Sequence, residues 1–503
     1  MRSLALWPGR SLQEITSKGF TWQGRFFENS LILTYGLRRD SAATWQIDPI
    51  KLPDQSYLVE ESWENWKNDG APVLDESGDT ATKQAVFHIP ARFTRNLPLN
   101  PTFSLHYSES ENFNPASVRR SIYNEVWPSP NGETTEYGFT VNLLDNRASF
   151  RFNWYETSSK AITNPNMRNL WMFLWPRGFA QRWVNAKNAS IPPPDADPND
   201  PDFDKKYIKF EDIPYGDPNQ DGYPFEYDPT AIGPFKSYDE VINTLINDVF
   251  PEATKAALNM RVEGELGTQS LASENIPGLT SVADVVSEGF EVESVFNISK
   301  SWRLTFNASK TEAIFSNGLK ELFPFAEYVT ERLKATGLWG IYEGGPRDTT
   351  RIGDRWTNET LAPLRGAASK EGTVSTELRK WRFNAVTNYT IQEGRFKGLG
   401  FGGAIRWQDK VSTGYPLERN EDGLLVPVLS NPFYGTSDLY GDLWFSYRTR
   451  MFDDKVGVKF QLNLYNFIGD DDPMEVTTNP DGQVAIIRAA PEKRWAFTTT
   501  FDF

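Results

Sequence analysis

The sequence predicts an all-β protein: an antiparallel transmembrane β-barrel of about 13–14 long strands, left incomplete or open, with long loops that hold short helices. Three observations predict it. Apolar and polar residues alternate with period two over segments of about nine to twelve residues, long enough to cross a bilayer when tilted. The chain is 14% aromatic, yet its mean hydropathy is −0.53, as expected when each strand has one greasy and one wet face. The connections between strands alternate between short and long along the whole chain.

Taken in order, the first hairpin falls at about 20–39 ("FTWQGRFFENSLILTYGLRRD") and the second at about 82–108. The third is sharper. Tyr137, Phe139, Val141 and Leu143 share one face; after a turn at Asp145-Asn146, Ala148, Phe150, Phe152 and Trp154 share the face of the returning strand. In the fourth, Phe290, Val292, Phe296 and Ile298 precede Trp302, Leu304, Phe306 and Ala308. In the fifth, Trp381, Phe383, Ala385 and Tyr389 precede Leu399, Phe401, Ile405 and Trp407. The sixth has the cleanest strand: Val456, Val458, Phe460, Leu462 and Leu464 alternate with Gly457, Lys459, Gln461 and Asn463. A last strand, "RWAFTTTFDF", sets Trp495, Phe497, Phe501 and Phe503 on one side.

Within hairpins the turns are short, near 28–30, 93–100, 145–146, 299–301, 391–398 and 450–455. Between hairpins they are long, near 40–81, 109–133, 158–284, 313–377, 411–436 and 468–492. That asymmetry matches a barrel with tight turns on one side of the membrane and extended loops on the other. Ser237 and Glu240 stand at capping-box spacing ahead of a helix with Val241, Leu245 and Val249 on one face. A second helix is predicted in "FPFAEYVTERLKATG", closed by Gly337. The proline-rich "IPPPDADPNDPDFD" at 191–204 is expected to be extended coil.

Composition excludes several functions. There is no cysteine, hence no disulfide or thiol chemistry. The two histidines, His88 and His106, read as packed or pore-facing side chains rather than catalytic ones. A net charge of −15 argues against nucleic acid. The longest apolar run, "LWMFLW" at 170–175, is far too short for a membrane helix. "MRSLALWPGR" meets Pro8 before a signal peptide's apolar region could form.

A C-terminal strand that stops on a bare aromatic is a device for closing a barrel in a membrane. Here the sequence resembles the C-terminal part of a TonB-dependent outer-membrane receptor. The resemblance lies in "RWAFTTTFDF", in the hairpin "NGETTEYGFTVNLLDNRASFRFNWYE" with its L-x-D-N-R turn, and in "LNLYNFIGDDDP". It covers about 130–503 and extends more weakly to about 20. It implies a Gram-negative outer-membrane location and energy-coupled uptake of a scarce ligand such as a ferric chelate, cobalamin or an oligosaccharide. The implied partners are outer-membrane lipid and the barrel-assembly machinery, which would read Trp495, Phe497, Phe501 and Phe503. The TonB complex would be reached only through a preceding N-terminal part. On this reading residues 1–503 form one partial receptor-like barrel domain, and 158–284 is a large extracellular insertion within it. The family's signal peptide, plug and 22-strand circumference find no match, so the expected object is a fragment whose sheet stays open. The alternatives are a plugless, porin-like passive pore and, from a different class, a secreted β-rich glycan-active enzyme. For the enzyme, no carboxylate pair is set apart by the sequence.

Three sets of residues are candidate sites, and no catalytic residue is among them. "DPNQDGYPFEYD" places Asp217, Asn219, Asp221 and Asp228 at the oxygen-ligand positions of a calcium loop, with Gly222 at the sharp turn. A structural calcium is the one cofactor it suggests, against a merely solvated acidic loop. Trp171, Phe173, Trp175 and Trp183 in the largest loop could form an aromatic platform for a ligand, or the core of a folded loop. Glu291, Glu293, Arg303, Arg382 and Arg406 face the lumen by alternation, where charges mostly keep an interior wet.

Overall fold

The computed structural model describes residues 10–47, 50–51, 57–58, 71–165, 167, 170–212, 232–345, 348, 350–368, 370–372, 378–419, 425–453, 455–469 and 471–503. Thirteen strands form one antiparallel sheet. They are β1 (Arg10–Phe26), β2 (Leu31–Ile47), β3 (Leu74–His88), β4 (Thr102–Phe113), β5 (Asn131–Leu143), β6 (Ala148–Thr163) and β7 (Val282–Asn297). Then follow β8 (Trp302–Ser316), β9 (Trp381–Thr390), β10 (Leu399–Gln408), β11 (Asp438–Met451), β12 (Val456–Ile468) and β13 (Arg494–Asp502). Each strand pairs with the next in the chain, and among the described residues β1 and β13 are the two ends of the strand order. Among the described residues the sheet is therefore open, as the sequence predicts.

The pleat sorts side chains as the alternation requires. One row across the sheet reads Leu105, Phe139, Phe152, Val292, Ala308, Phe383, Trp407 in directly opposed positions. Its rings are in contact: Phe139 stacks on Phe152 at 4.7 Å and Phe383 leans on Trp407 at 5.1 Å. The row one residue away reads His106, Gly138, Asn153, Glu291, Ser309, Arg382, Gln408. Such cross-strand pairs contribute roughly 0.2–1 kcal/mol each. On the apolar face many large side chains remain exposed, among them Phe20, Trp22, Leu105, Tyr137, Phe401, Phe445 and Trp495. Contiguous exposure of this kind marks a surface made for an apolar neighbour.

The short connections lie at 27–30, 89–101, 144–147, 298–301, 391–398 and 452–455, and the long ones at 48–73, 114–130, 164–281, 317–380, 409–437 and 469–493. All short connections therefore gather at one end of the sheet, the turn end, and all long ones at the other. The Asp145-Asn146 turn has both residues at positive φ, a conformation that short Asx side chains tolerate. Strands are longer than the alternation suggests, running from 9 to 17 residues. The largest difference is the first hairpin: 10–47 rather than 20–39. Its outer half pairs polar positions such as Thr16 with Ser41 and Lys18 with Arg39. Apolar residues are sparse there, Leu12 opposite Trp45 on one face and Ile15 opposite Ala42 on the other, so the backbone ladder continues without a regular apolar face to announce it.

Among the described residues the packed core is not in the sheet. It lies at the long-loop end, where the connections 114–130, 164–281 and 317–380 fold together as a helical cap. Its longer helices are α1 (Trp175–Ala189), α2 (Tyr238–Asn247) and α3 (Leu322–Ala335). Ser237 caps α2 by accepting a hydrogen bond from the Glu240 N–H at 3.2 Å, while Glu240 accepts from the Lys236 N–H at 2.7 Å. Gly337, at φ +81, ends α3 in the left-handed conformation that glycine adopts without strain. Residues 191–204 are not extended coil. Asp197 and Asp200 each accept a hydrogen bond from the backbone two residues on, at 2.9 Å, and fold the stretch into successive tight turns.

Candidate functional site at the capped end of the sheet

The cap draws its core from three connections far apart in sequence. Ile122, Phe173, Phe179, Trp183, Val241, Leu245, Phe325, Val329 and Trp356 are wholly or almost wholly buried in one cluster. Buried polar atoms stitch the segments together. Thr254 donates its hydroxyl to the Ile122 carbonyl at 2.8 Å, Thr360 to the Met172 carbonyl at 2.7 Å, and Trp183 its indole N–H to the Tyr342 carbonyl at 3.0 Å. The cap is tied to the strand tops in the same way: Asn164 donates to the Gly318 carbonyl at 3.0 Å, and Ser281 to the Met167 carbonyl at 2.6 Å.

Of the four aromatics singled out in sequence, the structure brings all into the cap but not onto one surface. Phe173 and Trp183 are in its core. Trp171 is 48% exposed and meets Trp175 edge-on at 5.0 Å. A platform reading is thus left with Trp171 and Trp175. Trp175 stacks on Phe179 on one side and lies under the guanidinium groups of Arg355 and Arg182, 5.3 and 5.8 Å from its ring centre. Its indole N–H finds no partner among the described residues.

Those two arginines share one buried carboxylate that the sequence did not single out. Glu343 is 1% exposed and takes a two-pronged grip from Arg355, Nη2 at 2.7 Å and Nε at 2.8 Å, together with an ion pair from Arg182. The hydrogen bonds that Arg355 donates to Glu343 raise the pKa of the guanidinium above its ordinary value, so Arg355 stays charged. No spacing rule could have found it, because the three residues come from two different connections. Next to it a cavity of about 300 Å³ opens at the surface, lined by Arg182, Asn185, Ser190, Lys206 and Asp348. Its size falls at the lower end of small-ligand pockets.

A second cavity, about 390 Å³, sits where the cap meets β6–β8, between Trp127, Lys160, Asp284, Lys320 and Glu321. Burial raises the pKa of Glu321 there. Nearby Arg119 is buried and held by carbonyls, Ala161 at 2.7 Å and Pro128 at 2.6 Å. Desolvation lowers its pKa.

Glu291, Glu293, Arg303, Arg382 and Arg406 lie on the polar face by register, opposite Asn153, Arg151, Asn388, Ser309 and Asn384 respectively. Arg406 pairs with Asp442 at 3.3 Å. His88 and His106 share that face, bonded to Ser104 at 2.7 Å and Asn153 at 3.0 Å. Trp495, Phe497 and Phe501 point with the apolar face of β12, next to Leu464, Leu462 and Val458. Phe503 follows the end of β13 and is fully exposed. The proposed calcium ligands Asp217, Asn219, Asp221 and Asp228 lie outside the described residues.

No family model and no curated protein matches the chain. Among solved structures it is similar to the ferric-catecholate import receptor Fiu of E. coli, at 11% identity and a TM-score of 0.43, over 98% of this chain and 45% of that one. It is similar to the ferric yersiniabactin uptake receptor FyuA of Yersinia pestis, at 8% identity and a TM-score of 0.44, over 98% and 46%. It is also similar to the siderophore receptor PiuA of Acinetobacter baumannii, at 12% identity and a TM-score of 0.43, over 98% and 43%. The chain spans less than half the length of each of these three structures.

Proposed function

We propose that this chain is the membrane-spanning wall and outer cap of an outer-membrane receptor of the TonB-dependent kind, serving energy-coupled uptake of a scarce ligand. The observation that carries the reading is the single-layer sheet. Its apolar face is exposed over a width of thirteen strands, while among the described residues the only extensive dry core lies in the loops at one end. A soluble sheet of this size would cover that face with a second layer. A lipid bilayer supplies the cover instead. The sequence resemblance described above supports the receptor class, and a cap of this size at the long-loop end suits ligand capture better than passive diffusion.

In this reading the cap faces outward and offers the Trp171–Trp175 surface and the cavity beside Arg182 to a ferric chelate, cobalamin or an oligosaccharide. The strand ending at Phe503 is recognised by the barrel-assembly machinery, and coupling to the TonB complex belongs to a preceding segment of the whole receptor. Calcium at Asp217, Asn219, Asp221 and Asp228 would brace the outer loop.

The test is binding followed by transport. Detergent-solubilised protein is titrated with ferric chelates, cobalamin and oligosaccharides while tryptophan emission is followed, with Trp171→Ala as the site variant. Saturable binding of one class, weakened by Trp171→Ala, supports the reading. Absence of binding, together with steady conductance across a planar bilayer, would replace it with a passive pore.

A further inference from the structure

The turn end of the sheet carries a pattern that strand pairing does not require. Every one of the six short connections presents a large apolar side chain to solvent: Phe27, Phe93, Leu144, Ile298, Phe396 and Phe452, from 40% to 78% exposed. None of these positions belongs to a strand. Turn tips in water are ordinarily small and polar, and a greasy residue at all six is not explained by packing within this chain.

Charge follows the same geography. Across the six connections and two flanking residues on each side, ten Lys and Arg stand against five Asp and Glu, in a chain that carries 52 against 67 overall. With its flanking residues, each connection has at least one cation, for example Arg25, Arg92, Lys300, Arg395 and Lys455. Arg92 lies over the Phe93 ring at 4.9 Å, so cation and apolar tip are side by side. The long-loop end therefore carries the acidic excess, and the turn end is locally basic.

We propose that the turn end is a binding surface for anionic phospholipid. The apolar tips enter the boundary between headgroups and acyl chains of the leaflet on that side, and the flanking cations take the headgroup phosphates. Apolar bodies below and cations above are the arrangement by which side chains anchor at a membrane interface. The choice of an anionic lipid rests on charge complementarity, because a neutral headgroup would leave the basic excess without a partner. This inference rests on the membrane-spanning reading and adds the chemistry of the leaflet at one end.

The experiment uses the full chain reconstituted in vesicles of phosphatidylcholine with trace spin-labelled lipid. Electron paramagnetic resonance then gives the fraction of label immobilised at the protein for phosphatidylglycerol and for phosphatidylcholine. The expected preference for the anionic label is roughly fivefold, the scale of a single cation at a charged surface, and it should shrink with salt. A variant with Lys300→Gln, Arg395→Gln, Lys397→Gln and Lys455→Gln, all exposed positions, should lower the preference towards one. Lys187→Gln with Lys255→Gln in the cap should leave it unchanged. Equal immobilisation of both labels by the unaltered protein would overturn the proposal, as would a preference that survives the turn substitutions. If neither label is immobilised, the membrane-spanning reading fails instead.

Discussion

Phe460 and Gln461 are neighbours on β12 with opposite surroundings, and a cation placed at each should reveal which face meets lipid. Phe460 lies in the apolar row between Tyr447 and Thr499 and stacks against Phe497 at 6.3 Å. Gln461 lies in the polar row between Ser446 and Thr498, donating to Asn463 at 2.7 Å. Phe460 is four residues beyond the start of β12. At about 3.4 Å per residue and a tilt near 40°, it sits about 10 Å above the turn end, close to the middle of an apolar band about 25 Å tall. Phe460→Lys should then cost about 2–4 kcal/mol for a cation near the midplane. Loss of the ring contact adds about 0.5–1.5 kcal/mol, for about 3–5 kcal/mol in all. Gln461→Lys removes one hydrogen bond on the wet face and should cost about 1 kcal/mol or less. The assay is equilibrium urea unfolding in phospholipid vesicles, followed by tryptophan emission. Equal penalties at the two positions, or a penalty below about 1 kcal/mol at Phe460, would refute the assignment of faces.

The cap supplies the next pair of outcomes. Trp183→Ala opens a cavity in its core and should cost about 3–5 kcal/mol, seen as rapid proteolysis of 164–281 while the sheet stays resistant; Trp171→Ala should leave proteolysis unchanged. Removing the buried carboxylate with Glu343→Ala leaves two arginines facing each other over Trp175 and should cost about 3–5 kcal/mol, whereas Glu359→Ala, at the exposed margin of Arg355, should cost under about 1 kcal/mol; similar melting shifts for both would mean the buried pair contributes nothing. Titration of the solubilised protein with calcium should give saturable binding that Asp217→Ala and Asp221→Ala each weaken, and no binding at millimolar calcium would leave an acidic, solvated loop.

The strands were legible in the sequence because the information that makes them is local. A period of two sets which side chains share a face, and no distant residue is needed to state it. Phe139 and Phe152 therefore fall opposite each other, as the third hairpin's turn at Asp145-Asn146 implies. The sorting of short and long connections to opposite ends follows from the same fact, since every antiparallel reversal returns the chain to the end it left. What the alternation understates is length. The outer half of the first hairpin scatters its few apolar residues over both faces, Leu12 opposite Trp45 and Ile15 opposite Ala42, and there the backbone ladder rather than an alternation marks the strand.

The cap could not be read in the same way. Trp171, Phe173, Trp175 and Trp183 form one aromatic run in sequence, and nothing in their spacing says which side chains are turned inward. That was decided by residues distant along the chain: Phe325 meets Phe173 edge-on, and Tyr238 and Tyr342 meet Trp183, while Trp171 is left at the surface. The Arg182–Glu343–Arg355 cluster is decided at the same level, because a buried ion pair exists only where packing excludes water from residues distant along the chain. The sequence by itself determined the faces, the hairpins and the direction in which each connection lies. Tertiary structure alone decided which loop residues make a core and which remain available to a ligand, because burial depends on contacts between segments whose separation no local period encodes.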